Sequence, residues 1–389
     1  MEEIEDKFIH FGCWNNTNVK SKDGKEKSIG CVEPVMNMLK NYLDRTAEKP
    51  NFMVIAGDNY YPDKTMLNDK KVKIIYPNKM THGFNLLPDS LPIHMILGNH
   101  DLETNGKKQS LFIENMDAPE NKDCAIIQYE KNIMRSKPNI EYKLFDSKYL
   151  KNNTLLLMID TSMYTDDVEK YMPCYNEFLG TTFRTSQDLI NYQNREIYES
   201  INRYSGRINN LIIIGHHPIS GYKFKEEKNE EGNIIPAHIE LINDIIKFNI
   251  VLKEIYRIAG RDAVNYYYLC ADLHMYQEGK IALNVDVNSN MNMNIAQYIV
   301  GTGGAKLDDK IPPDMELPTM DGITYTMGRV EYDCGFLECK IEDNELIFTP
   351  ILLNNRISGG RKTRKNRKFK KSKRTKRTKR TKKSRKGRK

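Results

Sequence analysis

Met53-Val54-Ile55-Ala56-Gly57-Asp58-Asn59-Tyr60-Tyr61 is the stretch that decides how the rest of the chain is read. A short apolar run enters a Gly-Asp turn, and two tyrosines follow. A buried parallel strand has this form, and in open α/β sheets ligands gather beyond the carboxyl ends of the strands. Asp58 is thereby delivered to the rim of a site. A Gly-Asp pair after a strand is also an ordinary turn. What separates the two readings is how many other strands end in the same way.

Four others do. Phe8 to Phe11 runs into Gly12-Cys13-Trp14-Asn15, and Ile93 to Leu97 runs into Gly98-Asn99-His100-Asp101. Leu211 to Ile214 ends in Gly215-His216-His217-Pro218, and Tyr266 to Leu269 leads to Ala271-Asp272-Leu273-His274. Between the first two strands, Cys31, Val32, Val35, Met36, Leu39, Tyr42 and Leu43 recur at helical spacing, so the chain opens as strand–helix–strand. Thr185 or Ser186 is placed to cap a helix through Tyr204. Ile239 to Ile258 reads as one long helix stopped by Gly260, and Ile140 to Phe145 as one alternating strand. Leu155 to Ile159 is a further strand, ending in Asp160-Thr161. Pro62 to Ser90 is a polar excursion, and the stretch from Tyr298 to about Leu353 is strand-rich.

The chain has 389 residues, 39% of them hydrophobic, which is ample for a large core. No apolar run approaches the roughly 18 residues of a membrane helix, and no signal peptide fits before Phe8. The seven cysteines show no C-x-x-C pair and read as reduced thiols, so an intracellular place in cytoplasm or nucleus is expected. The net charge of +8 hides two unlike parts. Of the 60 Lys and Arg, 20 fall between Arg361 and Lys389 with no acid among them; the other 40 face 52 Asp and Glu, a net of −12. Two parts are expected: a domain over 8–353, and a disordered basic tail over 354–389 hinged at Gly359-Gly360. Such a tail binds nucleic acid or another polyanion without sequence preference, or acts as a nuclear or virion address. The Lys/Asn/Ile-heavy composition fits an AT-rich genome such as that of a large DNA virus.

Carboxylate, imidazole, carboxamide, phenol and thiol groups on five strand ends form a metal-ligand set, and a carboxylate can bridge two ions. In their order, the Gly57-Asp58-Asn59-Tyr60-Tyr61, Gly98-Asn99-His100-Asp101, Gly215-His216-His217-Pro218 and Asp272-Leu273-His274 segments resemble the motifs of the calcineurin-like metallophosphoesterases. Within that superfamily the chain is most similar to the purple, tartrate-resistant acid phosphatases. Ile159-Asp160-Thr161, Val300-Gly301-Thr302-Gly303-Gly304 and Tyr332-Asp333-Cys334-Gly335-Phe336-Leu337 resemble the same group. The resemblance implies a four-layer α/β/β/α sandwich with two metal ions at one edge, hydrolysing a phosphate ester. It implies that Asp58 bridges the ions, that Tyr61 and His274 hold the first, and that Asn99 and His216 hold the second. His100 would bind phosphate or protonate the leaving alcohol. His217, Asn15 and Asp101 would stand behind the ligands or face substrate.

Two positions depart from the family pattern. Cys13 replaces an Asp ligand of the first metal, and Asp272 replaces a His ligand of the second. With thiolate and phenolate counted, the ligands sum to about −4 instead of about −3, which weakens the pull on a phosphate dianion. A thiolate also disfavours ferric iron, leaving zinc, manganese or ferrous iron. The expectation is therefore a phosphoesterase with an altered dimetal site. The alternative is a catalytically impaired pseudo-phosphatase serving as a binding or structural module, and a nuclease-type phosphodiesterase is a third reading. The Gly-Asp-x-x-Asp-Arg-Gly and Gly-Asn-His-Glu motifs of the Ser/Thr phosphatases are absent.

Overall fold

A computed structural model describes residues 6–16, 19–20, 26–27, 30–67, 70–75, 77–103, 124–133, 135–225, 237–286, 291–342 and 345–354. The basic tail expected beyond residue 354 lies outside the described residues. The strands organise into two large sheets. In the first, Lys7–Phe11, Phe52–Ala56, Ile93–Ile96 and Ile140–Tyr142 run parallel in that order; Gly335–Glu342 and Glu345–Leu352 extend it antiparallel beyond Lys7–Phe11. In the second, Thr154–Ile159, Asn210–Ile214, Asn265–Cys270 and Met291–Val300 are the parallel centre. Phe145–Leu150 borders it on one side, and Tyr276–Asp286 and Ile323–Glu331 on the other, all antiparallel. Phe52–Ala56, Thr154–Ile159 and Asn210–Ile214 are buried along their whole length, which is why they read as unbroken apolar runs.

The sheets face one another. Phe348 of the first packs on Tyr267 and Tyr298 of the second, with ring centroids 5.4 and 4.5 Å apart. His10 crosses the interface, its Nε2–H donating to the Cys270 carbonyl at 3.3 Å. At the border, His94 of the first sheet lies 3.6 Å from Glu141 and 3.5 Å from Asp146, with Lys143 paired to both carboxylates. Helices cover the outer faces. Tyr42 of helix Val32–Arg45 meets Phe336, and Phe248 of helix Phe248–Ala259 meets Tyr268 on the side of its strand opposite Tyr267. This is the α/β, four-layer arrangement expected. Helix Ser186–Arg203 begins as read, with Thr185 and Asp188 forming a reciprocal cap.

Three readings are corrected. Ile239 to Ile258 is not one helix: His238–Ile242 is a strand paired with Gly221–Lys225, and the helix is Phe248–Ala259. A dense apolar run satisfies both periods, and here Tyr222 opposite Leu241 and Phe224 opposite Ile239 select the strand. Ile140 to Phe145 is two strands in different sheets, Ile140–Tyr142 and Phe145–Leu150; the chain crosses between sheets at that point. The cysteines are not all reduced. Cys31 is bonded to Cys334 and Cys124 to Cys174, with Cα separations of 6.5 and 6.0 Å, while Cys13, Cys270 and Cys339 are free and buried. Separations of 303 and 50 residues leave no local mark in a sequence. Cysteine usage therefore no longer supports a reducing compartment.

Burial lowers the His10 imidazole to about 4, outweighing its bond to Cys270. The folded pKa lies below the ordinary 6.5, so the neutral ring contributes stability above pH 6.5 that is lost as pH falls toward 4. Up to roughly 3 kcal/mol is at stake. Denaturant titrations at pH 7 and pH 4.5 should show a fall in stability that His10→Leu reduces; an unchanged fall would show that acid sensitivity arises elsewhere.

Candidate metal centre

The five polar strand ends converge. Cys13, Asp58 and Asn99–His100 come from the first sheet, and His216–His217 and Asp272–His274 from the second. Two glycines allow the close approach. A Cβ on Gly57 would lie 2.5 Å from His216 Nδ1, and one on Gly98 would lie 2.4 Å from Asp58 Oδ1. Cys13, Asp58 and Asp272 all take positive φ, 53°, 51° and 59°, directly beyond their strands.

Two donor groups result, each with ligand atoms within 4.8 Å of one another: Cys13, Asp58 and His274, and His216, His217 and Asp272. Tyr61 joins the first, its hydroxyl 3.0 Å from His274 Nε2. Asn99 joins the second, Oδ1 lying 3.3 Å from His216 Nε2. Asp58 belongs to both. Its Oδ2 is 3.9 Å from Cys13 Sγ, and its Oδ1 is 3.4 Å from His216 Nε2. Asp272 Oδ1 lies 3.7 Å from the same His216 nitrogen.

The imidazoles are oriented from behind. His216 Nδ1–H donates to the Ala56 carbonyl at 2.7 Å, and His274 Nδ1–H to the Lys306 carbonyl at 2.7 Å, which leaves each Nε2 facing the cluster. The His274 amide is fixed by Asp308. Thr161 sets the tautomer of His217: its oxygen accepts the amides of His216 and His217, so its own proton goes to His217 Nδ1, 3.0 Å away. The His217 proton is then on Nε2, and burial, reinforced by His216, lowers this ring to about 4. Although it lies in the second group, His217 is a neutral N–H donor and not a free lone pair. His100 pairs through Nδ1 with Glu103 at 2.9 Å and packs on Tyr61, 4.7 Å between ring centroids.

Asp101 holds the two loops together. It accepts from Asn59 N and Nδ2, from Gly98 N and from the Tyr129 hydroxyl. Burial and then Asp58 raise its carboxyl to about 6. Asp58 moves the other way: burial would raise it, but His216, His100 and His274 together hold it at about 2. For Cys13 and Tyr61, burial first and then Asp58 push both well above their ordinary values. Asn15 is not in the cluster. It is fully buried and donates to the Met80 carbonyl at 3.1 Å. Asp160 is likewise internal, bonded to Ser162 and Tyr175. Glu103 and Asp308 escaped the sequence reading, and Thr161 entered it only as part of the Ile159-Asp160-Thr161 segment, with no role. Glu103 follows His100 by three residues on one turn, a spacing that could have revealed it; the Ala56 and Lys306 carbonyls leave no trace in side chains.

The calcineurin-like phosphoesterase family model matches residues 7–247. Among solved structures, GAP50, "the anchor in the inner membrane complex of Plasmodium", is similar with a TM-score of 0.45 and 12% identity, over 91% of this chain and 86% of that one. The purple acid phosphatase PPD1 of yellow lupin (Lupinus luteus) seeds gives 0.46 and 13%, over 91% and 52%. PhoD gives 0.46 and 11%, over 90% and 69%. No curated protein sequence matches.

Because four donors converge on Asp101, a carboxamide there would set its NH2 against at least one of them. Asp101→Asn should cost about 2 kcal/mol at pH 7, read from urea midpoints. A variant within about 0.5 kcal/mol of the parent would show that Asp101 does not tie the loops.

Proposed function

The chain belongs to the calcineurin-like phosphoesterase family, and we propose that it is a metal-dependent phosphoesterase of the phosphomonoesterase type with two divalent ions. The observation that carries this reading is the placement of Asp58, whose two oxygens face two separate donor groups. The donor set fits such ions: sulfur, carboxylate, phenol, carboxamide, and imidazoles whose Nδ1 atoms are already engaged. Cys13, Tyr61, His274 and Asp58 would hold one ion; His216, Asn99, Asp272 and Asp58 would hold the other. When bound, divalent ions supply charge for the phosphate and activation of a water molecule. The remaining work falls to the chain. His217 offers its Nε2–H to a phosphate oxygen. His100, half-buried and paired with Glu103, would give a proton to the departing alcohol oxygen. Cys13, Asp58, His216 and His217 are buried, which limits competing water on that side of the site and strengthens hydrogen bonds made there.

Cys13 and Asp272 motivate a second reading, a pseudo-phosphatase used as a binding module. It expects a protein that takes up no metal and hydrolyses nothing. Elemental analysis together with aryl phosphate hydrolysis decides between them. On the enzyme reading His100→Ala should lower turnover by about 10²- to 10⁴-fold with little change in melting temperature. Equal turnover would remove His100 from the chemistry.

Residues 361–389 add a polyanion, most simply nucleic acid, as a partner, and leave a nuclease-type substrate as a third possibility. Affinity for a duplex of arbitrary sequence should fall steeply with salt and vanish on deleting 361–389. Binding that survives the deletion would place it on the folded domain. Among the described residues, no helix is long and apolar enough to cross a membrane.

A further inference from the structure

Of the three free cysteines, Cys270 and Cys339 lie within buried strands, but Cys13 is placed differently. It stands beyond a strand end, fully buried, in a donor group with Asp58 and His274 and with Asp272 nearby. A thiol kept for packing gains from apolar neighbours; two carboxylates and an imidazole are poor company for that purpose.

The backbone carries a second, independent observation. Among the described residues six non-glycine positions have positive φ: Cys13, Asp58, Asn152, Asn153, Arg261 and Asp272. Asn and Asp suit this region because their side chains bond locally, whereas cysteine has no such oxygen. The surroundings nevertheless hold Cys13 there. Its amide donates to the Gly57 carbonyl at 3.1 Å, and its carbonyl accepts from the Ala305 amide at 2.9 Å. Cys13 is thus fixed in the left-handed region with its thiol in the donor group of Asp58 and His274.

We propose that Cys13 ligates the first ion as a thiolate, giving its proton to water. The Cys13–Asp58–His274 position, with Tyr61, would then be a sulfur-containing site selective for zinc-class ions (Zn²⁺, Co²⁺, Cd²⁺) over Mg²⁺ and Mn²⁺. Thiolate is a soft donor and favours these ions, whereas an all-oxygen and nitrogen set favours them less. This inference rests on the phosphoesterase reading for its metal site, but goes beyond it in assigning the ion class and the atom that selects it.

The test is a titration of the full chain with cobalt chloride, followed by absorption and by equilibrium dialysis. Bound cobalt should give visible d–d bands together with a thiolate-to-cobalt charge-transfer band in the near ultraviolet. Cys13→Ser and Cys13→Asp should bind cobalt and lose the near-ultraviolet band. The aspartate variant also suits the left-handed backbone, so it keeps the test open if the serine variant fails to fold. In competition, the parent should prefer zinc over manganese at least about tenfold more strongly than Cys13→Asp does. Cobalt bound with no near-ultraviolet band, or a band that persists in both variants, overturns the thiolate assignment and leaves the phosphoesterase reading intact. No cobalt bound at all overturns both.

Discussion

The centre depends on one close approach. The turns after Ala56 and Ile96 come within van der Waals distance of His216 from the opposite sheet, and they do so because Gly57 and Gly98 carry no side chain. That contact brings Asp58 between Cys13 and His216. Asp101 then fixes the two turns to each other through the Asn59 and Gly98 amides. The sandwich supplies rigid strands on both sides, so the donor residues stand on short turns anchored by the packing of two sheets.

Electrostatics explains why so much polar chemistry is tolerated in a buried place. Asp58 and Asp101 are close carboxylates pulled in opposite directions, one down by three imidazoles and the other up by burial and by the first. The thiol and phenol are held protonated by the same surroundings. A cluster of this composition gathers negative charge as protons leave it, and cations are the natural complement.

The strands that end in Cys13, Asp58, Asn99, His216 and Asp272 were legible because parallel strands buried on both faces read as short apolar runs, and glycines punctuate their ends. Their convergence as a metal-ligand set was legible from the five polar strand ends, but the assignment of each to one of two ions came only through the family resemblance. Other features were hidden for physical reasons. The orienting carbonyls of Ala56 and Lys306 belong to the backbone, which every residue shares. Thr161 matters through a count of lone pairs, not through its identity. His238–Ile242 turned out to be a strand because a partner existed at Gly221–Lys225, a fact of tertiary pairing. Asn15 looked like a site residue from its position beyond a strand, but its side chain turns to Met80.

The bond between Cys31 and Cys334 has a topological consequence. It encloses a loop with a sequence separation of 303 that contains every proposed ligand except Cys13. A single backbone cleavage anywhere between the two cysteines leaves the halves covalently joined. Nicked and intact chains would therefore travel together until reduced, and the two sheets, each built from both sides of most such cuts, could stay assembled around the centre.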